Sequence, residues 1–196
     1  MIRARVTCFA ALIALATAGV AACGGSTSKD TSALDAIHVP DRITVTSPAF
    51  TNGGAIPRAN SCDGTGTAPT ISWGKVPALT KTVAVVVDDP DAVGGDFLQW
   101  LVIEMPPTPG SVPNHAPGVA ELDNTGGTKG WTPPCPPTGS THHYNFTVYA
   151  LDDYVCADNG DTGNGPGCSA PSSVQALPQI AGAAIAKGVL TGTYTR

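Results

Sequence analysis

Three stretches of the chain have the apolar and β-branched composition of β-strands. Residues 82–88 (TVAVVVD) are almost continuously apolar, which is typical of a central strand that is buried on both faces. Residues 97–104 (FLQWLVIE) form a second run, which Pro106 and Pro107 close. Residues 141–151 (THHYNFTVYAL) form the third. The pattern therefore predicts three strands over these ranges.

The third predicted strand has two chemically different sides, because side chains alternate between the faces of a strand. One side carries two polar rings followed by two apolar groups: His142, Tyr144, Phe146 and Val148. The other side carries His143, Asn145 and Thr147. Since Phe146 and Val148 are apolar, we expect the first side to face inward. His142 and Tyr144 are then expected where the core meets the edge of the sheet, at the lip of a pocket.

The end of the chain predicts a helix over residues 172–187 and a short strand over residues 189–196. The apolar positions of the helix share one face: Val174, Leu177, Ile180, Ala181, Ala184 and Ile185. Gly188 is a typical helix stop, and Pro178 lies either in the first turn or at a kink. The 23 glycines and 18 prolines of the chain favour strands joined by turns. The predicted fold class is mainly β with few helices.

The start of the chain has the layout of an export signal, in which Arg3 and Arg5 precede an apolar stretch over residues 6–20. The sequence Val20-Ala21-Ala22-Cys23 resembles the lipobox of bacterial lipoproteins, although Leu is usual where Val20 stands. In such proteins the chain is cut before the cysteine, whose thiol carries lipid such as palmitate. The alternative is an ordinary cleaved signal. A transmembrane helix is disfavoured, because a span needs about 20 apolar residues.

These boundaries predict a signal peptide (residues 1–22), a lipidated Cys23 with a flexible tether (residues 23–40) and one domain (residues 41–196). The lipid would hold the domain on the extracytoplasmic face of the cell membrane. Removal of the signal takes away two arginines and leaves 8 basic against 15 acidic residues, a net charge of −7. This charge argues against a nucleic-acid partner, whose binding depends on Lys and Arg.

Four cysteines remain after Cys8 leaves with the signal and Cys23 takes lipid: Cys62, Cys135, Cys156 and Cys168. An even number in an exported chain suggests disulfides, and four cysteines allow three pairings. We favour Cys156–Cys168, because these residues flank a loop rich in Gly, Asp and Asn, and this choice leaves Cys62–Cys135 as the second pair. The sequence has no Cys-x-x-Cys, so we expect no structural zinc site.

Several blocks resemble the phosphatidylethanolamine-binding protein family, in its bacterial Raf-kinase-inhibitor-like branch. They are Ser61-Cys62-Asp63-Gly64, Asp89-Pro90-Asp91-Ala92, Gln99-Trp100-Leu101-Val102, Cys135-Pro136-Pro137-Thr138-Gly139 and His142-His143-Tyr144. Their order and spacing agree over residues 43–196, and the composition suits an actinobacterial lipoprotein member. The resemblance implies a β-sandwich core with a C-terminal helix. It also implies a small pocket for anions such as phosphate-bearing head groups.

The resemblance places seven residues in or around that pocket: Asp89, Asp91, Gln99, Cys135, Pro137, His142 and Tyr144. A protonated His142 and the Tyr144 hydroxyl would donate hydrogen bonds to an anion. Asp89 would orient the imidazole ring. A simpler interpretation of the two aspartates is a capped turn after a strand, and the two roles are compatible.

Three positions depart from the family pattern. Gln99 stands where the family usually has His, so this site carries less positive charge and is expected to bind anions more weakly. Val93 replaces the last proline of the Asp-Pro-Asp-Ala-Pro motif and is followed by two glycines, which loosens that loop. Residues 131–133 (WTP) stand where Tyr-x-Gly is commoner and would narrow the mouth.

The leading hypothesis is a non-enzymatic protein that binds a small anion or a phospholipid head group at the cell envelope, with no cofactor and no resident metal. One alternative is an interaction protein that inhibits a protease or a kinase-like partner, as some relatives do. Another is a hydrolase with His142 as base and Asp89 as orienting group, but no Gly-x-Ser-x-Gly motif supplies a nucleophile. The last is a divalent metal site built from the same Asp and His residues.

Overall fold

Three long antiparallel strands form the centre of the structure, a computed structural model that describes residues 32–35, 37–113, 119–155 and 171–196. In chain order, the elements are α1 (Ser32–Asp35), β1 (Val45–Thr46), a 3₁₀ turn (Arg58–Asn60), β2 (Ile71–Trp73), β3 (Thr82–Asp89), β4 (Phe97–Met105), β5 (Gly110–Val112), β6 (Ala120–Glu121), β7 (Thr141–Leu151), α2 (Ser173–Ala183) and β8 (Ala184–Thr195). The predicted strands correspond to β3, β4 and β7, of which β3 and β4 are one residue longer than expected.

The strands form two antiparallel sheets. The larger sheet has the order β6-β4-β3-β7-β8, and the smaller has the order β1-β2-β5. β3 lies in the middle of the larger sheet, where β4 and β7 form backbone hydrogen bonds with its two edges. This central position explains the continuous apolar sequence of β3, since both faces of the strand are covered as well.

Each face of the larger sheet packs against a separate core. Between the two sheets, Val85, Val87 and Phe146 of the larger sheet meet Ile71 and Trp73 of the smaller one. On the opposite face, apolar residues of the larger sheet meet helix α2: Ala84, Val86, Leu101, Leu177 and Ile180. The predicted mainly β fold, a sandwich with a C-terminal helix, is confirmed.

The predicted end of the C-terminal helix is wrong by four residues. Helix α2 begins after Ser172, which forms a capping box with Gln175, and it contains Pro178 in its interior. The helix ends at Ala183, and residues 184–187 belong to strand β8 instead. Eleven residues of β7 pair with β8, from Thr141 opposite Thr195 to Leu151 opposite Ala184, and this ladder outweighs the helical propensity of the Ala-rich segment.

Gly188 has a packing role rather than the predicted role of helix stop. A Cβ atom at this position would collide with the carbonyl oxygen of Ile43, so only glycine permits this approach of the N-terminal segment to β8. The backbone of the same segment bonds to the outer edge of β8, because Lys187 donates to Pro40 and accepts from Arg42 and Ile43.

A second segment, residues 53–56, covers the outer edge of β8 further along. Gly53 donates to the carbonyl oxygen of Thr191, Ile56 donates to that of Thr193, and Thr193 donates to Gly54. The outer edge of the larger sheet is thus paired along much of its length by segments of the same chain.

The end of the predicted tether is packed rather than free. Within the expected range of residues 23–40, Ser32–Asp35 is helical and Ile37 is buried against the core under α2. Apolar Ile37 and Val39 account for this packing, since the polar residues come earlier in the range. None of the helices described in residues 32–196 is long and apolar enough to cross a membrane.

Candidate functional site

A cavity of about 330 Å³ opens at the end of the larger sheet where β3 ends and β4 and β7 begin. Residues 132–137 form its other wall. Five of the seven residues selected from the sequence line this cavity: Asp89, Gln99, Cys135, Pro137 and His142. The volume is within the range of small-ligand pockets. The remaining two selected residues, Asp91 and Tyr144, lie beside and beneath the cavity.

A buried pair of Asp89 and His142 forms one wall of the cavity. His142 Nδ1 lies 2.8 Å from Asp89 Oδ2, and the two side chains are 9% and 6% exposed. The other carboxylate oxygen of Asp89 accepts a hydrogen bond from the backbone N–H of Asp91 at 3.0 Å. Because the carboxylate occupies Nδ1, the ring has Nε2 left for a ligand.

Asp91 belongs to a second pair on the opposite side of β7. Its Oδ2 atom accepts hydrogen bonds from the backbone N–H of His143 at 2.8 Å and from the His143 ring at 2.7 Å. These two bonds, the backbone one foremost, lower the pKa of the Asp91 carboxyl group below its usual value. Asp91 therefore fastens the loop after β3 to β7 and does not face the cavity.

A β-bulge directs Gln99 into the cavity. Trp100 pairs with Val87, but the next residue of β3, Asp88, pairs with Leu98, so Gln99 is the extra residue of β4. As a result, Gln99 lines the cavity while Trp100 packs in the core on the same side of the sheet. Gln99 is buried, and its Oε1 atom makes no hydrogen bond to a described residue.

Tyr144 is fully buried in the core between the two sheets and does not line the cavity, so it does not lie at the lip. Burial raises the pKa of the Tyr144 phenol, and the nearby Asp89 carboxylate raises it further. Asp89 is close enough for this effect, yet the hydroxyl makes no hydrogen bond of ordinary geometry. The ring nitrogens of Trp100 and Trp131 are similarly buried without a partner among the described residues.

A disulfide between Cys62 and Cys135 holds the outer wall of the cavity, with the two Cα atoms 5.4 Å apart. Beside it, the backbone N–H of Cys62 donates to the carbonyl oxygen of Pro134 at 3.0 Å. This is the pair that the sequence analysis left as the remainder, whereas Cys156 and Cys168 lie outside the described residues. Because its sulfur is bridged, Cys135 has no free thiol to act as a nucleophile.

Asn124, which the sequence analysis did not select, organises the remaining wall. This fully buried side chain donates to Thr132 Oγ1 at 2.6 Å and to the carbonyl oxygen of Gly130 at 3.2 Å. Thr132 also donates its backbone N–H to the carbonyl oxygen of Gln99, and it lines the cavity. In the sequence, Asn124 stands in a Thr- and Gly-rich stretch, which indicates a turn but gives no sign of this role.

Val93 lies at the mouth of the cavity and is followed in the chain by Gly94 and Gly95. Val93 lines the mouth and is 91% exposed, while Gly94 and Gly95 have φ angles of 98° and 112°. Such positive φ angles favour glycine. Within the described ranges, no three His, Cys, Asp or Glu side chains converge closely enough to hold a metal ion.

The architecture defines a class of protein: a two-sheet β-sandwich with a helix on its outer face and a ligand-sized cavity at the strand ends. The sequence model of the phosphatidylethanolamine-binding protein family matches residues 46–195. The chain therefore belongs to the phosphatidylethanolamine-binding protein family.

Individual relatives agree with this assignment. The Mycobacterium tuberculosis protein LppC, which its name calls a lipoprotein, is 41% identical over 155 residues, or 78% of this chain and 72% of its own. The crystal structure of the family homologue CT736 from Chlamydia trachomatis superposes with a TM-score of 0.67 at 31% identity, covering 80% of this chain and 99% of that one. Escherichia coli YbcL gives a TM-score of 0.66 at 29% identity, covering 79% and 98%.

Proposed function

We propose that this protein binds a small anion, such as the phosphate of a phospholipid head group, in the cavity beside His142 and catalyses no reaction. The observation that carries the proposal is the buried contact of 2.8 Å between Asp89 and His142 Nδ1. An imidazole that donates from Nδ1 also donates from Nε2 only when it is protonated. The protonated ring would then offer a charged N–H to an oxyanion, while Asp89 balances its charge.

The rest of the lining makes His142 the natural source of positive charge. Among the described residues that line the cavity, none is a lysine or an arginine. Gln99 supplies a neutral amide, whose NH2 group can donate to an anion, whereas its Oε1 atom, which has no partner among the described residues, can only accept. Anion binding by the charged ring is therefore expected to tighten as the pH falls.

A titration of the purified full-length protein with inorganic phosphate and with phosphorylethanolamine tests this proposal. Calorimetry at about pH 6 and about pH 8 spans the range in which imidazoles change charge in proteins. We expect saturable binding that is tighter at the lower pH and lost in His142→Ala. The matched control is His143→Ala, which removes the neighbouring exposed ring and should leave binding intact.

Three outcomes would contradict the proposal: equal affinity at the two pH values, unchanged binding in His142→Ala, or no saturable heat from a folded wild-type protein. The last result would redirect the search from small ligands to the alternative function, an inhibitor of a protease or kinase-like partner. In that case Val93 is the first residue to substitute, because it is exposed at the cavity mouth.

We further propose that lipid on Cys23 anchors the protein to the extracytoplasmic face of a bacterial cell membrane. The supporting observations are the lipobox-like sequence before Cys23 and the name of the LppC relative. Residues 1–22 would be removed as a signal peptide. Helix α1 would begin within about 32 Å of Cys23, since Ser32 follows Cys23 after eight residues and a fully extended chain spans at most about 3.6 Å per residue.

Labelling with a palmitate analogue in a bacterial host tests the anchor. The wild-type chain should incorporate label and sediment with membranes, whereas Cys23→Ser should do neither. Cys8→Ser is the matched control, because Cys8 lies in the signal and should have no effect. Label retained by Cys23→Ser would refute the assignment of the lipid to this residue.

A further inference from the structure

The wall of the cavity opposite His142 has few hydrogen-bond donors. Residues 132–137 have the sequence Thr-Pro-Pro-Cys-Pro-Pro, so four of the six have no backbone N–H. The backbone N–H of Thr132 is already used in its bond to the carbonyl oxygen of Gln99. Cys135 is in a disulfide and carries no S–H. The Thr132 hydroxyl is therefore the one side-chain group in this wall that can donate a hydrogen bond.

Asn124 determines how this hydroxyl is used. Its side chain is fully buried and does not line the cavity, and its Nδ2 atom lies 2.6 Å from Thr132 Oγ1. Two further bonds fix the orientation of the amide: Nδ2 donates to the carbonyl oxygen of Gly130, and Oδ1 accepts from the backbone N–H of Thr128. Because an amide nitrogen only donates, Thr132 Oγ1 is the acceptor in its contact with Asn124.

The bond from Asn124 leaves the proton of the Thr132 hydroxyl available. A hydroxyl group has one donor and two acceptor sites, and the Asn124 amide takes one of the acceptor sites. Among the residues that the structure describes, none accepts this proton in a hydrogen bond. Since Thr132 lines the cavity and Asn124 does not, a proton that points away from Asn124 can reach an anion in the cavity.

We propose that the Thr132 hydroxyl is a second anion donor of the cavity and that Asn124 is the positioning residue that keeps it in the donating orientation. The anion bridges the two walls, with one oxygen at His142 Nε2 and another at the Thr132 hydroxyl. Phosphate and carboxylate groups have the two oxygens that this bridge needs. The inference rests on the anion-binding function proposed above, and it adds a neutral donor to the charged one that His142 supplies.

Removal of the hydroxyl alone tests the proposal. Thr132→Val replaces the hydroxyl with a methyl group of similar size. Calorimetric titration of this full-length variant with inorganic phosphate should give an affinity at least about tenfold weaker than that of the wild type, since the lost hydrogen bond is to a charged ligand. Thr132→Ser keeps the hydroxyl and should bind phosphate within about threefold of the wild type.

Thr128→Val is the matched control. The Thr128 hydroxyl also accepts from Asn124, at 2.8 Å, but Thr128 is exposed and does not line the cavity. This variant should bind phosphate as the wild type does. Because a hydroxyl does not change charge near neutral pH, the loss in Thr132→Val should be the same factor at about pH 6 and about pH 8, whereas the pH dependence itself should vanish in His142→Ala.

Asn124→Asp tests the positioning role. An ionised carboxylate only accepts, so the Thr132 hydroxyl would turn its proton toward the new carboxylate and away from the anion. Phosphate affinity should fall at least about tenfold, but much less when the change is combined with Thr132→Val, which has no hydroxyl to turn. Repulsion between the new charge and the anion would be equal in the two backgrounds. Circular dichroism checks that each variant is folded.

The proposal is overturned if Thr132→Val binds phosphate as tightly as the wild type, or if Thr132→Ser or Thr128→Val loses as much affinity as Thr132→Val. Equal effects of Asn124→Asp with and without the hydroxyl would refute the positioning role. Full affinity in Thr132→Val together with a loss in His142→Ala would overturn this inference and leave the anion-binding function intact. No saturable binding by the wild type would refute both.

Discussion

Two aspartate–histidine pairs lie next to each other in the sequence but in very different surroundings. Asp89 contacts His142 at 2.8 Å, and Asp91 contacts His143 at 2.7 Å. The first pair has side chains that are 9% and 6% exposed, whereas those of the second are 57% and 42% exposed. Consecutive histidines of β7 point to opposite faces, so one pair lies at the cavity and the other lies in solvent.

The comparison shows that burial, rather than residue type or distance, distinguishes the pair at the cavity from the exposed pair. The charges of an exposed pair are screened by water, so the pair contributes less than about 1 kcal/mol to the free energy of unfolding. A buried pair depends on both partners, since the removal of one leaves the other without a bond in a water-poor site. We therefore expect substitutions at equivalent positions of the two pairs to have unequal effects.

The largest effect is expected for Asp89→Ala. This change leaves the His142 ring and the backbone N–H of Asp91 without their acceptor, and should lower the free energy of unfolding by about 3 kcal/mol. Urea denaturation followed by circular dichroism measures the change. Asp91→Ala is the matched control, and equal losses in the two variants would contradict the distinction drawn from burial.

The next effect concerns binding rather than stability. Asp89→Asn keeps a hydrogen-bonding group beside His142 but removes the negative charge that favours the imidazolium ion. Phosphate affinity at about pH 6 should fall about tenfold. Asp91→Asn should change it less than about twofold, because this carboxylate does not line the cavity. Calorimetric titration checks both values, and an unaltered affinity in Asp89→Asn would refute the role of the charge.

A smaller effect is expected for Asp91→Ala, which should lower the free energy of unfolding by less than about 1 kcal/mol. Since the pair is exposed, the difference from the wild type should shrink further in about 1 M salt, where screening is strong. Denaturation at low and high salt measures this difference. A loss that persists at high salt would mean that the backbone bond to His143, rather than the charge, dominates.

The smallest effect is a change in acid sensitivity. His143 lowers the pKa of Asp91 in the folded state, chiefly through its backbone N–H. The Asp91 carboxylate therefore contributes its full stabilisation above the pKa that this group has in the unfolded chain. The stabilisation is lost as the pH falls through the lower pKa that the group has in the folded state. Below about pH 4, Asp91→Asn should lose stability less steeply than the wild type. Denaturation curves over a pH series give the slopes, and an unchanged slope would contradict the prediction.

The alternation of side chains along β7 could be predicted from the sequence, because a period of two follows directly from strand geometry. The pattern assigned His142, Phe146 and Val148 to the inward side, and all three are buried there. The pattern also assigned Tyr144 to the inward side, where it is buried, but the alternation alone does not show that His142 lines the cavity and Tyr144 does not.

The orientation of Gln99 could not be obtained from periodicity. Strict alternation places Gln99 and Trp100 on opposite faces of β4, whereas the bulge turns both toward the same side. Only the resemblance to a family pointed to Gln99, and residue order alone does not reveal a bulge. The partner register that creates the bulge is set by β3, a separate segment of the chain.

The end of helix α2 illustrates a second limit. Residues 184–187 are compatible with either helix or strand by composition, and the pairing with β7 decides between them. Gly188 is therefore not a helix stop. Its missing side chain lets the N-terminal segment pack closely against β8. Local pattern and tertiary pairing conflict here, and the pairing prevails.

The largely covered outer edge of β8 affects how neighbouring copies of the protein would meet. Exposed strand edges are templates on which copies of the same protein add to one another. Residues 40–43 and 53–56 occupy this edge with backbone hydrogen bonds, and the opposite edge is the two-residue strand β6. If lipid confines the protein to a plane, neighbouring molecules meet side by side at high local concentration. Because the two edges of the larger sheet offer few unpaired backbone groups, such molecules would have little tendency to add to one another through their strands.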